Sequence, residues 1–475
     1  VTIQAPFRVE VAADAALGPR EVRVVTPQGV SSTGLVVITA EPVVVEADDR
    51  LNDTAAGAQI VKPPIAISGK IGKVEDVDWY SVDLQAGQTL TLSVWGNRLE
   101  NKIHDLQTHL DPIIVLRDSQ GRELAADDNS QFADPLLIHE VKESGRYLIE
   151  LRDTTYSGNL NWLYVLQATT GPVVVSSAPM TAAPGKSTKL RAQGPGLGEG
   201  TELTLNLPAD TPLGPRLVSA TAPAGETLPF PIVVTPLPSD VEEHDAPEQF
   251  DKAPMIELPS ARSGRLSEPN DVDVYRVNAK KGEIYEFEIV ARRAMAATDP
   301  VLRIVNAQGR TISEMDDTFG KDPRLEWTAP ADGEYGIQVS DLHSRGGPTF
   351  GYALLAQPAR PGLVVTCDPD KFNVGPGSRV PVFVKLERRG GFKGPVALSW
   401  DGLPPGITAS PLTIVESMTQ GVIVLSAAED AKPFGGFVRL KAEGKSTGDS
   451  QPPVQALASP RQEIYLPGGG RGLFS

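Results

Sequence analysis

One cysteine, Cys367, and five histidines in 475 residues leave little soft-metal or redox chemistry in this chain. A lone thiol excludes an intrachain disulfide and a cysteine-built zinc site. Basic residues are outnumbered, 44 Lys and Arg against 60 Asp and Glu, for a net charge of −16. That balance argues against nucleic acid as a partner, because phosphates require a basic surface. No apolar run approaches the roughly 18 residues of a membrane helix, and Val1 opens no basic–apolar signal segment. Catalytic patterns are missing as well. Gly444-Lys445-Ser446-Thr447-Gly448 fits Gly-x-Ser-x-Gly, but in a polar stretch without a strand–turn–helix elbow. Gly185-Lys186-Ser187 has Met180 where a phosphate loop requires glycine. No His-Glu-x-x-His pair is present. The expectation is a protein that is not an enzyme.

Glycine (45) and proline (42) are plentiful and spread along the chain, punctuating short apolar runs in the manner of an all-β protein. The length exceeds what one core serves, so several domains are expected. Repetition sets their order. Ala13-Asp14-Ala15-Ala16-Leu17-Gly18-Pro19-Arg20 returns as Ala209-Asp210-Thr211-Pro212-Leu213-Gly214-Pro215-Arg216. Further on, Val74-Glu75-Asp76-Val77-Asp78-Trp79-Tyr80, a turn at Gly87 and the run from Thr89 to Val94 return as Asn270-Asp271-Val272-Asp273-Val274-Tyr275, Gly282 and the run from Ile284 to Ile289. Each copy reads as strand, glycine turn, strand.

The expected domains are a truncated small sandwich at 1–45, a large sandwich at 46–170, a small one at 171–237, a second large one at 238–358 and an immunoglobulin-like one at 359–445. Residues 446–475 are expected to be a linker or the start of a further domain, and the chain a piece of a larger protein. The first large unit has a longer connection between Trp95 and Asp111 than its copy has before Asp299.

The large units resemble bacterial pre-peptidase C-terminal domains. The resemblance rests on the Asp-Val-Asp motif, the Ala86-Gly87 and Lys281-Gly282 turns, Asp111-Pro112 and Asp299-Pro300, Gly121 and Gly309, and the late Tyr147 and Tyr335. The whole arrangement is similar to large secreted proteins of planctomycete-type bacteria, with Gly402-Leu403-Pro404-Pro405-Gly406 in the domain that follows. The small units resemble immunoglobulin or transcription-factor-immunoglobulin sandwiches. The resemblance implies a tandem array of β-sandwiches, jelly-roll and immunoglobulin-like. It also implies a secreted or cell-envelope setting, periplasmic or extracellular, and a non-catalytic structural or adhesion role. A carbohydrate- or protein-binding accessory region of a larger secreted enzyme is the alternative, with protein or polysaccharide of the cell envelope as partner.

Calcium is the expected cofactor, since it takes six to eight oxygens and favours clustered carboxylates. Some pre-peptidase C-terminal domains bind it between an acidic lead-in and the Asp-rich turn. Here the lead-in offers Glu46, Asp48, Asn52 and Asp53, and the turn Glu75, Asp76 and Asp78. In the second copy Glu242 and Asp245 precede Asp271 and Asp273, without an Asn-Asp pair, and a weaker site or none is expected. The alternative is a solvated acidic linker with strand-end aspartates capping a turn. Asp127-Asp128-Asn129 and Asp316-Asp317 read as plain loops. In the longer connection Trp95, Arg98, His104 and His109 form a candidate ligand-binding loop, because loops on rigid sandwiches carry recognition. Core packing of Trp95 and histidines without special role are the alternatives.

Overall fold

The computed structural model describes residues 8–27, 29–31, 34–47, 51–99, 109–131, 134–241, 249–318, 320–445, 453–460, 462–465 and 471–474. Among them the helical content is three short 3-10 turns, at Ala55–Gly57, Asn97–Leu99 and Arg292–Ala294, and everything else that is regular is strand. No helix among them is long and apolar enough to cross a membrane. The protein is all-β, built of several sandwiches.

In the first large sandwich one sheet runs Glu123–Asp127, Pro112–Asp118, Gly145–Asp153, Val77–Leu84, Gln59–Ile60. The other runs Leu136–Glu140, Thr89–Trp95, Leu163–Thr169, Ile65–Lys70, Val43–Val45. The inner faces bury Tyr80, Val82, Leu90, Leu92, Ile114, Ile149, Tyr164 and Leu166 in one apolar cluster. The motif strands Val77–Leu84 and Thr89–Trp95 are not paired with each other. They lie in opposite sheets, so the Gly87 turn carries the chain across the core, and it is tied to the neighbouring turn by Gly87 N–H to Val141 O at 2.8 Å.

The second large sandwich repeats this plan. Ser239–Val241, Ser260–Arg265, Gly351–Pro358, Ile284–Val290 and Arg324–Thr328 form one sheet. Val272–Ala279, Gly333–Asp341, Pro300–Val305 and Thr311–Met315 form the other, around Tyr275, Phe287, Ile337 and Tyr352. Even the turns repeat. Asp118 Oδ1 accepts the amides of Gln120 and Arg122, and Asn306 Oδ1 those of Gln308 and Arg310.

The described strands of the first small unit recur in the second. Gly18–Val22 pairs with Gly34–Ile38 as Gly214–Val218 pairs with Phe230–Val234. The second small unit has a further sheet of Ser176–Ala178, Ser187–Gln193 and Glu202–Asn206, and its own core around Leu190 and Ile232. The next sandwich packs sheets centred on Arg379–Arg389 and Val396–Asp401 around Val382, Val396 and Ile423. Val454–Leu457 and Ser459–Pro460 complete its two sheets, so these residues, expected to be a linker or the start of a further domain, pair within that fold.

Leu35 and Val37 of the first small unit, Leu217 of the second and Met295 of the second large sandwich pack on Trp95, Leu99, Ala66 and Val165 of the first. Four units meet at that joint.

Candidate functional site

The lead-in to the first large sandwich crosses from one sheet to the other. Val43–Val45 adds in parallel to Ile65–Lys70, and Gln59–Ile60 adds in parallel to Tyr80–Ser81. Between these anchors Trp79 N–H donates to Asn52 O at 2.9 Å, which lays Asn52 and Asp53 over the start of the motif strand. Strand alternation then turns Asp76, Asp78 and Tyr80 inward, because side chains two apart share a face.

The result is a buried polar cluster where the lead-in crosses the sandwich. Asn52 Nδ2 donates to Asp78 Oδ1 at 3.0 Å, and the Tyr164 hydroxyl donates to Asp78 Oδ2 at 2.7 Å. Tyr80 and Tyr164 share a hydrogen bond of 2.5 Å. Gly72 N–H donates to Asp76 Oδ2 at 2.6 Å, and Lys70 N–H to Glu46 Oε2 at 2.8 Å. Lys73 Nζ lies 2.8 Å from Asp53 Oδ2 and 3.5 Å from Asp76 Oδ1. Two buried oxygens, Asn52 Oδ1 and Asp53 Oδ1, accept no hydrogen bond, and a third, Asp76 Oδ1, has only the Lys73 ammonium at 3.5 Å. Such atoms ordinarily have a partner, so each invites explanation.

Burial is the main force on Asp78, with the charge of Glu46 next, and together they push its carboxyl up to about 9. Burial also raises both tyrosine hydroxyls. Lys73 is raised in turn by its hydrogen bond to Asp53. The cluster thus holds more acid than one ammonium neutralises. Among the described residues, however, no three His, Cys, Asp or Glu side chains already gather as a metal-binding group.

Of the residues expected here, Glu46, Asn52, Asp53, Asp76 and Asp78 come together. Glu75 does not. It stands exposed in a left-handed turn, φ 60°, with its amide bonded to Tyr156 O. Asp48 lies outside the described residues, as do Glu242 and Asp245. In the second copy Asp271 Oδ2 accepts Ser267 N–H, and Asp273 Oδ2 accepts the Tyr352 hydroxyl at 2.5 Å. Glu268 stands where the first copy has Lys73.

The tyrosine partners were not expected as part of this cluster, although a glycine inside each neighbouring strand marks them. A Cβ at Gly69 would strike the Tyr164 ring, and one at Gly264 the Tyr352 ring. Glycine in a strand interior often signals such close approach.

The candidate ligand-binding loop is packed against its neighbours in its described part. Trp95 is buried in the four-unit joint, with the Arg98 guanidinium 4.6 Å from its ring centre. Arg98 Nε donates to the buried Asp134 at 2.6 Å, and Asp134 also accepts the amides of Gly96, Asn97 and Arg98. Asp322 repeats this on Ala291, Arg292 and Arg293. Trp95 and Arg98 therefore hold a turn and a joint. His109 is half-buried, and His104 lies outside the described residues. Asp127 closes its own loop, accepting from Ser130 Oγ and Leu136 N–H.

These features define a tandem all-β sandwich protein. No protein-family model matches the chain. Over 142 residues it is 28% identical to a probable subtilase-type serine protease of Deinococcus radiodurans, a match over 28% of this chain. The chain spans 19% of that relative's length. Among solved structures, the pre-peptidase C-terminal domain of a collagenase from Bacillus anthracis aligns at 15% identity and TM-score 0.19, over 24% of this chain and 100% of its own. A protein of Eubacterium rectale described as secreted aligns at 11% identity and TM-score 0.17, over 42% of this chain and 70% of its own.

Proposed function

We propose that this chain is a non-catalytic, extracellular array of sandwiches that spaces or presents parts of a larger protein, and that calcium locks the lead-in of its first large sandwich. The observation that carries the calcium reading is the pair of buried oxygens without hydrogen-bond partners, Asn52 Oδ1 and Asp53 Oδ1, together with Asp76 Oδ1, which meets only the Lys73 ammonium, beside Asp78 and Glu46. Calcium takes oxygen ligands only, and these residues offer only oxygen. They fit the ion by chemistry. Lys73 supplies part of the cation charge here, beside Asp53 and Asp76, and would compete with calcium for that place.

The ion supplies positive charge that no side chain here can match. Asn52 and Asp53 would hold it from the lead-in, Asp76 and Asp78 from the sheet, and the lead-in would thereby be fixed to the sandwich. The test is thermal unfolding of the chain with calcium and with chelator. A melting temperature raised by calcium, and no longer raised in Asp76→Asn, is the expected result. Identical melts in calcium and chelator overturn it.

A second reading is an accessory region of a secreted serine protease, favoured by the partial identity to the subtilase-type protein. Glycan arrays and pull-downs with envelope polysaccharide separate ligand presentation from pure spacing.

A further inference from the structure

A cleft of about 300 Å³ lies where the first large sandwich, the second small sandwich and the second large sandwich meet. We propose that it binds an acidic sugar, whose carboxylate is held between Arg191 and Arg265.

The charge of the lining is the first reason. In a chain of net charge −16, no Asp or Glu lines this cleft, whereas Arg191 and Arg265 both do. Neither arginine is within ion-pair distance of a described carboxylate. Several arginines of the large sandwiches are neutralised, as Arg117 is by Glu150 at 2.8 Å and Arg293 by Asp322 at 2.8 Å. Glu202, opposite Arg191 on the adjacent strand, is engaged by Lys189 at 3.5 Å. Two guanidiniums without carboxylates form a preformed receptor for one, since planar N–H pairs match its two oxygens.

Arrangement is the second reason. Arg191 and Gln193 share the outward face of the strand Ser187–Gln193. Arg265 Nη1, from the second large sandwich, reaches Gln193 Oε1 at 3.5 Å, which brings Arg265 to the strand face that also carries Arg191. Ser176 Oγ lies 3.4 Å from the same oxygen. On the opposite wall Gln131 is held by Arg98 Nη2 at 3.1 Å. Met180 N–H donates to Ser263 Oγ at 2.9 Å, tying the small sandwich to the large one beside the cleft. Hydroxyls and amides thus surround the guanidiniums, which suits a ligand bearing hydroxyls around its carboxylate. The volume suits one or two sugar rings, at the lower end of the roughly 300–1,000 Å³ usual for small-ligand sites.

The test is calorimetric titration of the intact chain with glucuronate and with oligogalacturonate, in chelator so that the outcome is independent of the calcium reading. Glucose and an aspartate-rich peptide serve as comparisons. Binding of either uronate, weakened about tenfold or more in Arg191→Ala and in Arg265→Ala but unchanged in Arg310→Ala on a distant turn, is expected, since a charged hydrogen-bonded contact is worth about 1.5–3 kcal/mol. Binding by the oligomer alone assigns a chain as the source, and binding by both a single sugar. Absence of uronate binding at millimolar concentration, equal binding of glucose or the peptide, or insensitivity to both arginine substitutions overturns the proposal. Unchanged melting of the two variants shows that any loss is not misfolding.

Discussion

Tyr164 donates its hydroxyl to Asp78 across the interior of the first large sandwich, 2.7 Å from a strand of one sheet to a strand of the other. Tyr352 does the same for Asp273 in the second. Each pair is a polar link between two sheets whose inner faces pack mainly through apolar side chains. Each tyrosine also bonds a second one, Tyr80 or Tyr275, so a carboxyl and two hydroxyls form one buried chain.

Tyr164→Phe removes a donor and leaves Asp78 Oδ2 without it in a site closed to water. An unsatisfied buried acceptor costs about 1–3 kcal/mol. We expect a lower melting temperature for Tyr164→Phe and for Tyr352→Phe, each by scanning calorimetry. Equal melts for wild type and both variants would show that the bond contributes nothing to stability.

Lys73 touches both Asp53 and Asp76, so it competes with any added cation. Lys73→Met removes that charge while keeping much of the stem. Calcium affinity is then expected to rise several-fold by titration calorimetry. Because Lys73 is half-exposed, screening by water keeps its own contribution to stability small. Affinity left unchanged in the variant would mean that the ammonium does not occupy the cation position.

Much of this protein is legible in its sequence, and the reasons differ by feature. Strands such as Arg379–Arg389 alternate apolar and polar residues, and alternation in sequence becomes a buried face directly. The repeat from Gly18 to Gly214 fixes which strands correspond before any are seen. Pairing across sheets is less legible. Nothing local says that Gly87 sends the chain over the core instead of back along the same sheet, because a glycine turn serves both paths. The length difference between the copies points to Arg98 and Trp95 as recognition residues, with core packing of Trp95 as the alternative. The partners they meet in the fold, Asp134 and Met295, are remote in sequence. The equivalence of Arg98–Asp134 with Arg293–Asp322 was the available signal, since a pair present in both copies points to structure.

That equivalence supports a third prediction. Asp134 is buried and accepts four hydrogen bonds that hold the 3-10 turn Asn97–Leu99 and the Arg98 guanidinium. Removing one partner of a buried ion pair costs about 3–5 kcal/mol, because the other is left uncompensated. Asp134→Ala is expected to lower the denaturant midpoint strongly, and Asp322→Ala to do so in the second copy. Arg98→Ala is expected to be milder, since three amides still satisfy Asp134. An Arg98→Ala loss equal to that of Asp134→Ala would place the stabilisation in the ion pair instead of the turn.

Cys367 offers a fourth, with the sign set by its surroundings. It is packed beside Val365, Val384 and Leu386 in the core of the sandwich that follows the second large one. Burial first, then the charges of Asp368 and Asp370, pushes the thiol from an ordinary 9.0 up to about 11. The thiolate is the reactive form, so the native protein is expected to resist a thiol reagent at pH 8 and to react fully once unfolded. The folded state holds its proton more tightly than the unfolded chain does. The stability that this contributes is complete below pH 9 and is lost progressively as pH rises towards about 11. Serine does not titrate there, so Cys367→Ser should show a flatter stability profile between pH 9 and 11 in denaturant melts. A wild type and variant with parallel profiles would mean that the buried thiol is not a source of alkaline instability.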